Sequence, residues 1–140
     1  MDTYEINELI LKLIKSQNND GSFGYERKNI GTSYFIIAMA LYWKDNQQYL
    51  KYITQAVSYL LKENYNSIES YIAFKLVLHY GIYRDIRISE KVITMERDDR
   101  EGSLTYLFNI LLKCTEEFSL ILFNKSFNRK ELIKYLLHKI

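Results

Sequence analysis

The chain of 140 residues contains no proline, one cysteine and five glycines. Without proline, no position lacks the backbone N–H that a helix interior requires. Since Cys114 is the only cysteine, the chain cannot form an internal disulfide or a cysteine-rich zinc site. This cysteine usage predicts a reducing, cytoplasmic setting.

Long apolar runs and a strong net charge are also absent. No apolar run approaches the roughly 18 residues of a transmembrane helix, so no membrane span is predicted. The first residues lack the basic lead of a secretory signal, which agrees with a cytoplasmic location. The formal net charge of +2 is too small to indicate nucleic acid as a partner.

The composition that remains is globular. Hydrophobic residues make up 48% and charged residues 26% of the chain, which argues against disorder. The length predicts a single domain over residues 1–140 with a core of its own.

Helical periodicity predicts an all-α fold. Apolar residues over 4–16 recur every three or four positions, which marks one helix face. Ser67, and Asn128 with Glu131, are predicted helix caps, and Thr32 or Ser33 is predicted to cap another helix. All five glycines are interpreted as element boundaries, and no strand pair is predicted. Helices are predicted at 4–16, 33–44, 47–63, from Ser67 to 78–80, within 86–95, and at 103–114, 116–123 and 129–139.

Three of these helices begin alike. Ser33-Tyr34-Phe35-Ile36, Ser70-Tyr71-Ile72-Ala73 and Thr105-Tyr106-Leu107-Phe108 are 37 and 35 residues apart. This spacing favours a stack of three to four helical hairpins, because a single hairpin cannot bury its own apolar face.

The most specific motif is the loop from Gln17 to Gly24, Gln-Asn-Asn-Asp-Gly-Ser-Phe-Gly. Asp20-Gly21 is typical of a tight turn. The amide of Gln17 is suited to hydrogen-bond backbone groups at a neighbouring helix end, with the Phe23 ring covering it. A structural role is favoured for this motif over direct ligand contact.

This loop and the helices beside it resemble the QW-type repeat of the prenyltransferase β-subunit and squalene–hopene cyclase superfamily. The resemblance covers about residues 10–63. A remnant of the loop recurs at 98–103, and the second repeat lacks the glycines. The family implies an α/α toroid of about six hairpins, of which this chain would form part. Such an open arc would expose the apolar face of its inner helices to a ligand or partner.

The family's catalytic signatures are degraded here. Its class II cyclases use an Asp-x-Asp-Asp acid, and Glu96-Arg97-Asp98-Asp99 is the nearest string. Crowded carboxylates can raise a pKa and keep a proton, so Glu96, Asp98 and Asp99 are candidate catalytic residues, although a solvated loop is the favoured interpretation. Magnesium is expected only with a bound diphosphate, and no other cofactor is predicted.

No metal site is predicted either. His79 and His138 have no ligand spacing to each other or to Cys114, which is interpreted as a core residue. The sequence does not decide whether the chain is an enzyme, although the missing catalytic signatures favour a protein without catalytic activity.

The three equivalent tyrosines, Tyr34, Tyr71 and Tyr106, are candidate ligand-binding residues, because aromatic rings stabilise carbocations and pack on isoprenoid chains. Ordinary core packing is the alternative. The first functional hypothesis is a prenyltransferase- or cyclase-like protein that binds an apolar or isoprenoid-type ligand, either alone or only within a complex. The alternative is a non-catalytic interaction module that forms homo- or hetero-oligomers through its inner helical face.

Overall fold

A computed structural model of the chain describes residues 2–64, 66–114, 120–122 and 125–140. Within these residues it contains seven α-helices and one two-stranded antiparallel sheet, which confirms the all-α class. In chain order the elements are α1 (Asp2–Ile14), α2 (Lys28–Leu41), α3 (Leu50–Glu63), α4 (Ile68–His79), α5 (Ile86–Asp98), α6 (Ser103–Leu112), β1 (Leu120–Leu122), β2 (Lys125–Phe127) and α7 (Arg129–His138).

Two predicted helix caps are confirmed. The Ser67 hydroxyl accepts from the backbone N–H of Ser70, and the Ser70 hydroxyl accepts from the backbone N–H of Ser67. Asn128 and Glu131 exchange an equivalent pair of bonds at the start of α7. Such capping boxes satisfy N–H groups that the first helical turn leaves unpaired.

The predicted start of the second helix is wrong, because α2 begins five residues earlier than Ser33. The Thr32 hydroxyl does not cap the helix but accepts from the backbone N–H of Phe23 at 3.0 Å. Gly31 is not a boundary but lies inside α2, where a Cβ would meet the carbonyl oxygen of Phe23 at 3.0 Å. Both residues therefore serve the close approach between α2 and the preceding loop.

Two predictions fail at residues 120–122, namely the helix over 116–123 and the absence of a strand pair. Those residues form β1, which pairs antiparallel with β2 in the register Leu120 to Phe127. The rest of the predicted helix lies outside the described residues. A short apolar run does not distinguish a buried helix turn from a strand, and here the pairing with β2 decided the outcome.

Helix α2 lies at the centre of the packing. It contacts α3, α4 and α7, while α4 also packs against α5 and α6, and α7 reaches back to α1. From Gly31 to Leu41 every residue of α2 except Tyr34 is buried. Helices α4 and α7 cover the apolar face of α2. The hairpin repeat and the toroid stay predictions.

Candidate functional site

Four helices line an apolar pocket of about 170 Å³ that is open on one side. Helices α4, α6 and α7 each supply two aliphatic side chains spaced four residues apart, which places both on one helix face. The pocket is therefore built from the same periodic stripes that build the core. Its lining is Tyr34 and Ile37 from α2, Ile68, Glu69 and Ile72 from α4, Leu107 and Leu111 from α6, and Leu132, Tyr135 and Leu136 from α7.

A larger and more polar cavity of about 750 Å³ adjoins this pocket. The two share three residues, Tyr34, Glu69 and Tyr135, which we call the neck. Outside the neck the larger cavity, here named the mouth, is lined by residues that include Gly24, Glu26, Arg27 and Lys139. An apolar interior with a few polar groups at its entrance is the usual make-up of a small-molecule site.

The four charged residues of the mouth and neck are Glu26, Arg27, Glu69 and Lys139. In the part of the chain that the structure describes, none of them forms an ion pair. The Lys139 ammonium lies 5.3 Å from the centre of the Tyr135 ring, within the range of a cation–π contact. Two positive and two negative side chains thus line one cavity without an ion pair to any described residue.

Tyr34 connects the pocket to the mouth. Burial is the main cause that raises the pKa of its hydroxyl, and the carboxylate of Glu69 raises it further, while Arg27 acts in the opposite direction. The hydroxyl therefore stays protonated at neutral pH and can donate a hydrogen bond at the neck.

The second tyrosine candidate, Tyr71, lies elsewhere. Its side chain is fully buried, and its hydroxyl donates to the Glu96 carboxylate at 2.6 Å. Lys75 pairs with the same carboxylate oxygen, and its ammonium lies 5.2 Å from the centre of the Phe108 ring. Tyr71, Lys75 and Glu96 thus form one cluster that joins α4 to α5.

Sequence reasoning named Tyr71 and Glu96 separately and missed Lys75. The available signal was its position four residues after Tyr71, on the same face of α4. Burial alone would raise the pKa of Glu96, but the hydrogen bonds from Lys75 and Tyr71 outweigh burial and leave this pKa below its usual value. An acid catalyst needs the opposite shift.

Asp98 and Asp99 do not join Glu96. They line a separate open cavity of about 480 Å³ between the start of α4 and the start of α6. Asp99 accepts from the backbone N–H of Leu104 at 2.7 Å and so satisfies an N–H in the first turn of α6. Among the described residues no group of three or more His, Cys, Asp and Glu side chains could hold a metal ion.

Tyr106 is 69% exposed and lines neither the pocket nor the mouth. The three tyrosines that occupy matching sequence positions are therefore placed in three different environments: the neck, the core and the surface.

The loop from Gln17 to Gly24 connects α1, α2 and α3. The Gln17 amide donates to the carbonyl of Gly21 at 2.9 Å and to that of Tyr52, in α3, at 3.1 Å. The fully buried Phe23 ring stacks on Phe35 of α2 with 4.1 Å between centroids. These contacts hold the end of the loop, and with it Gly24, beside the mouth.

The turn in this loop is closed by Asp20. Its carboxylate accepts from the backbone N–H of Ser22 at 2.9 Å and from the Ser22 hydroxyl at 2.5 Å. Both hydrogen bonds lower the pKa of Asp20, and the bond from the Ser22 hydroxyl has the larger effect. Gly21 follows with a left-handed φ of +93°.

The fold and the site together define an all-α protein with an apolar pocket and a charged mouth. No family model, no curated protein and no solved structure matches the chain. The resemblance to the prenyltransferase and cyclase superfamily accordingly stays a prediction. Within the described residues no helix has the length and apolar character to cross a membrane.

Proposed function

We propose that this protein binds a small apolar or isoprenoid-type ligand, with an apolar group of the ligand in the four-helix pocket. The observation that carries the proposal is the pocket of about 170 Å³, whose lining is aliphatic apart from the three neck residues. An apolar cavity of about 150 Å³ is large enough to take up benzene, so this one suits one or two isoprene units.

Catalysis is not part of this proposal. The carboxylate of Glu96, whose pKa is perturbed, is ionised and paired with Lys75 away from the pocket. Tyr34 is the one tyrosine candidate that lines the pocket, and we assign it a contact with the ligand at the neck.

Blocking the pocket tests the proposal. Dimethylallyl and geranyl alcohols and their diphosphates are titrated while protein chemical shifts and thermal stability are recorded. Binding should shift resonances of pocket residues and raise the melting temperature of the wild type. Leu107→Phe fills the pocket and should abolish both the resonance shifts and the rise in melting temperature. The control Ile110→Phe, on α6 but outside the pocket lining, should leave both effects unchanged. No response from the wild type to these compounds or to any other small ligand with an apolar group, at saturating concentration, would overturn the proposal.

A second candidate function is self-association through α6. Seven of the ten residues of this helix are apolar, yet only Phe108 and Leu111 are buried. Tyr106 is the largest exposed side chain on the helix. Light scattering over a range of concentrations should find a dimer that Tyr106→Glu dissociates and that Asn109→Glu, also exposed on α6, leaves intact. A wild-type monomer at every concentration would refute it.

A further inference from the structure

The charges of the mouth and neck restrict which ligand the site accepts. Among the described residues, four ion pairs join charged side chains elsewhere in the chain, for example Lys134 with Glu5 at 2.5 Å. Around the mouth, Glu26, Glu69, Arg27 and Lys139 line one cavity without an ion pair to any described residue. A ligand that satisfies charges of both signs must itself carry both signs.

The positions of these residues assign a place to each charge of the ligand. Glu69 lies at the neck with Tyr34 and Tyr135, next to the apolar pocket. A carboxylate beside the Tyr34 ring suits an ammonium group, which gains a charge-assisted hydrogen bond and a cation–π contact. Arg27 and Lys139 line only the mouth, where they suit a carboxylate further from the pocket.

The apolar part of the ligand is limited by the pocket. Its volume of about 170 Å³ is close to the roughly 150 Å³ of a cavity that binds benzene. A phenyl or branched aliphatic group fills such a space, while a longer chain would extend into the mouth.

We propose that the site binds a free α-amino acid with an apolar side chain, such as L-phenylalanine or L-leucine. The side chain occupies the pocket, the ammonium group pairs with Glu69, and the carboxylate pairs with Arg27 and Lys139. This inference rests on the proposed function, since it requires an apolar group in the pocket. It disfavours a diphosphate, whose several negative charges would lie near Glu26 and Glu69.

A series of ligands with the same ring separates the contributions. L-Phenylalanine carries both charges, 2-phenylethylamine only the ammonium, 3-phenylpropanoate only the carboxylate, and 2-phenylethanol neither. Titrations followed by protein chemical shifts should find phenylalanine bound about tenfold more tightly than either singly charged analogue, because each charged hydrogen bond lost costs about that factor. The neutral alcohol should bind most weakly.

Charge-neutralising variants locate each contact. Glu69→Gln should weaken the binding of phenylalanine and 2-phenylethylamine about tenfold and leave that of 3-phenylpropanoate unchanged. The double variant Arg27→Gln/Lys139→Gln should weaken the binding of phenylalanine and 3-phenylpropanoate and leave that of 2-phenylethylamine unchanged. Lys51→Gln, exposed on α3 away from the site, is the matched control and should change none of them.

The outcomes separate this inference from the function on which it rests. If 2-phenylethanol or a prenyl alcohol binds as tightly as phenylalanine, the pocket is used but its charges are not, and the inference is refuted while the proposed function stands. Tighter binding of a prenyl diphosphate than of phenylalanine would refute the inference in the same way. If none of these compounds shifts a pocket resonance, both proposals fail.

Discussion

At the scale of single residues, two glycines in the Gln17–Gly24 loop make a matched pair. Gly21 and Gly24 have left-handed φ values of +93° and +90°. A Cβ on Gly21 would overlap the carbonyl oxygen of Gln55 in α3, whereas a Cβ on Gly24 would meet nothing within 4 Å. A side chain would therefore strain the backbone at both positions, but only at Gly21 would it also overlap a neighbouring helix.

We expect Gly24→Ala to lower the free energy of unfolding by about 1–2 kcal/mol, through strain alone. Gly21→Ala should lower it by clearly more, because α3 must move away from the loop. Urea denaturation of both variants measures the difference. Equal losses would mean that the contact between the loop and α3 adds nothing to stability.

Sequence reasoning predicted contacts between residues that are close in the sequence and missed contacts between residues that are far apart. The turn at Asp20-Gly21 and the caps at Ser67 and Asn128 follow from residue types at short spacing, and sequence reasoning anticipated all of them. Lys75 was missed because Glu96, its partner, is 21 residues away in the sequence. Tyr34, Tyr71 and Tyr106 looked equivalent because a local pattern carries no information on which neighbours each ring meets.

At the scale of helices and strands, the Lys75–Glu96 pair connects α4 to α5 and should make stability depend on pH. Burial acts to lower the pKa of Lys75, but the hydrogen bonds and charges of Glu96 and Tyr71 together outweigh burial, and the pKa of Lys75 is raised. The lowered pKa of Glu96 means that its contribution is present above the ordinary carboxyl range, about pH 4.3, and is lost as the pH falls through the lowered value. The contribution of Lys75 is present below its ordinary range and is lost as the pH rises through its raised pKa.

Glu96→Gln should therefore reduce the free energy of unfolding by about 1 kcal/mol at pH 7 and by progressively less below about pH 4. Urea unfolding at pH 7, 5, 4 and 3 tests this, with the exposed Glu90→Gln on the same helix as control. A deficit that stays constant down to pH 3 would show that ionisation of Glu96 does not stabilise the contact between α4 and α5.

Element type followed the sequence closely where a helix is long and periodic. The stripe over 4–16 and the apolar face of 47–63 correspond to α1 and α3, although boundaries move by two or three residues. The strand at 120–122 was missed, since its run is too short to show a period and its pairing with 125–127 decides it. Helix α5 extends beyond the predicted segment and starts at an Asp85 cap, which accepts from the backbone N–H of Arg87 at 2.9 Å.

At the scale of the whole molecule, the candidate site depends on contacts between distant parts of the chain. Helix α7 packs on α1 and α2, so its three lining residues meet Tyr34 across about a hundred residues of sequence. In a linear stack of hairpins each unit contacts only its neighbours. The contact of α7 with α1 is outside that pattern. Because α7 also packs on α2, its side chains and those of α4 and α6 border a pocket beside α2.

The sequence by itself determined the helical class, the caps and turns, and the stripes that became the core, because these depend on residues a few positions apart. Only the tertiary structure decided that Tyr34 lies at the neck while Tyr71 is buried against Glu96, and that four charges without an ion pair to any described residue line one cavity. Such placements depend on which helix faces meet in space. Periodicity identifies each apolar face, but the shape and charge of the surfaces that pack together choose its partner.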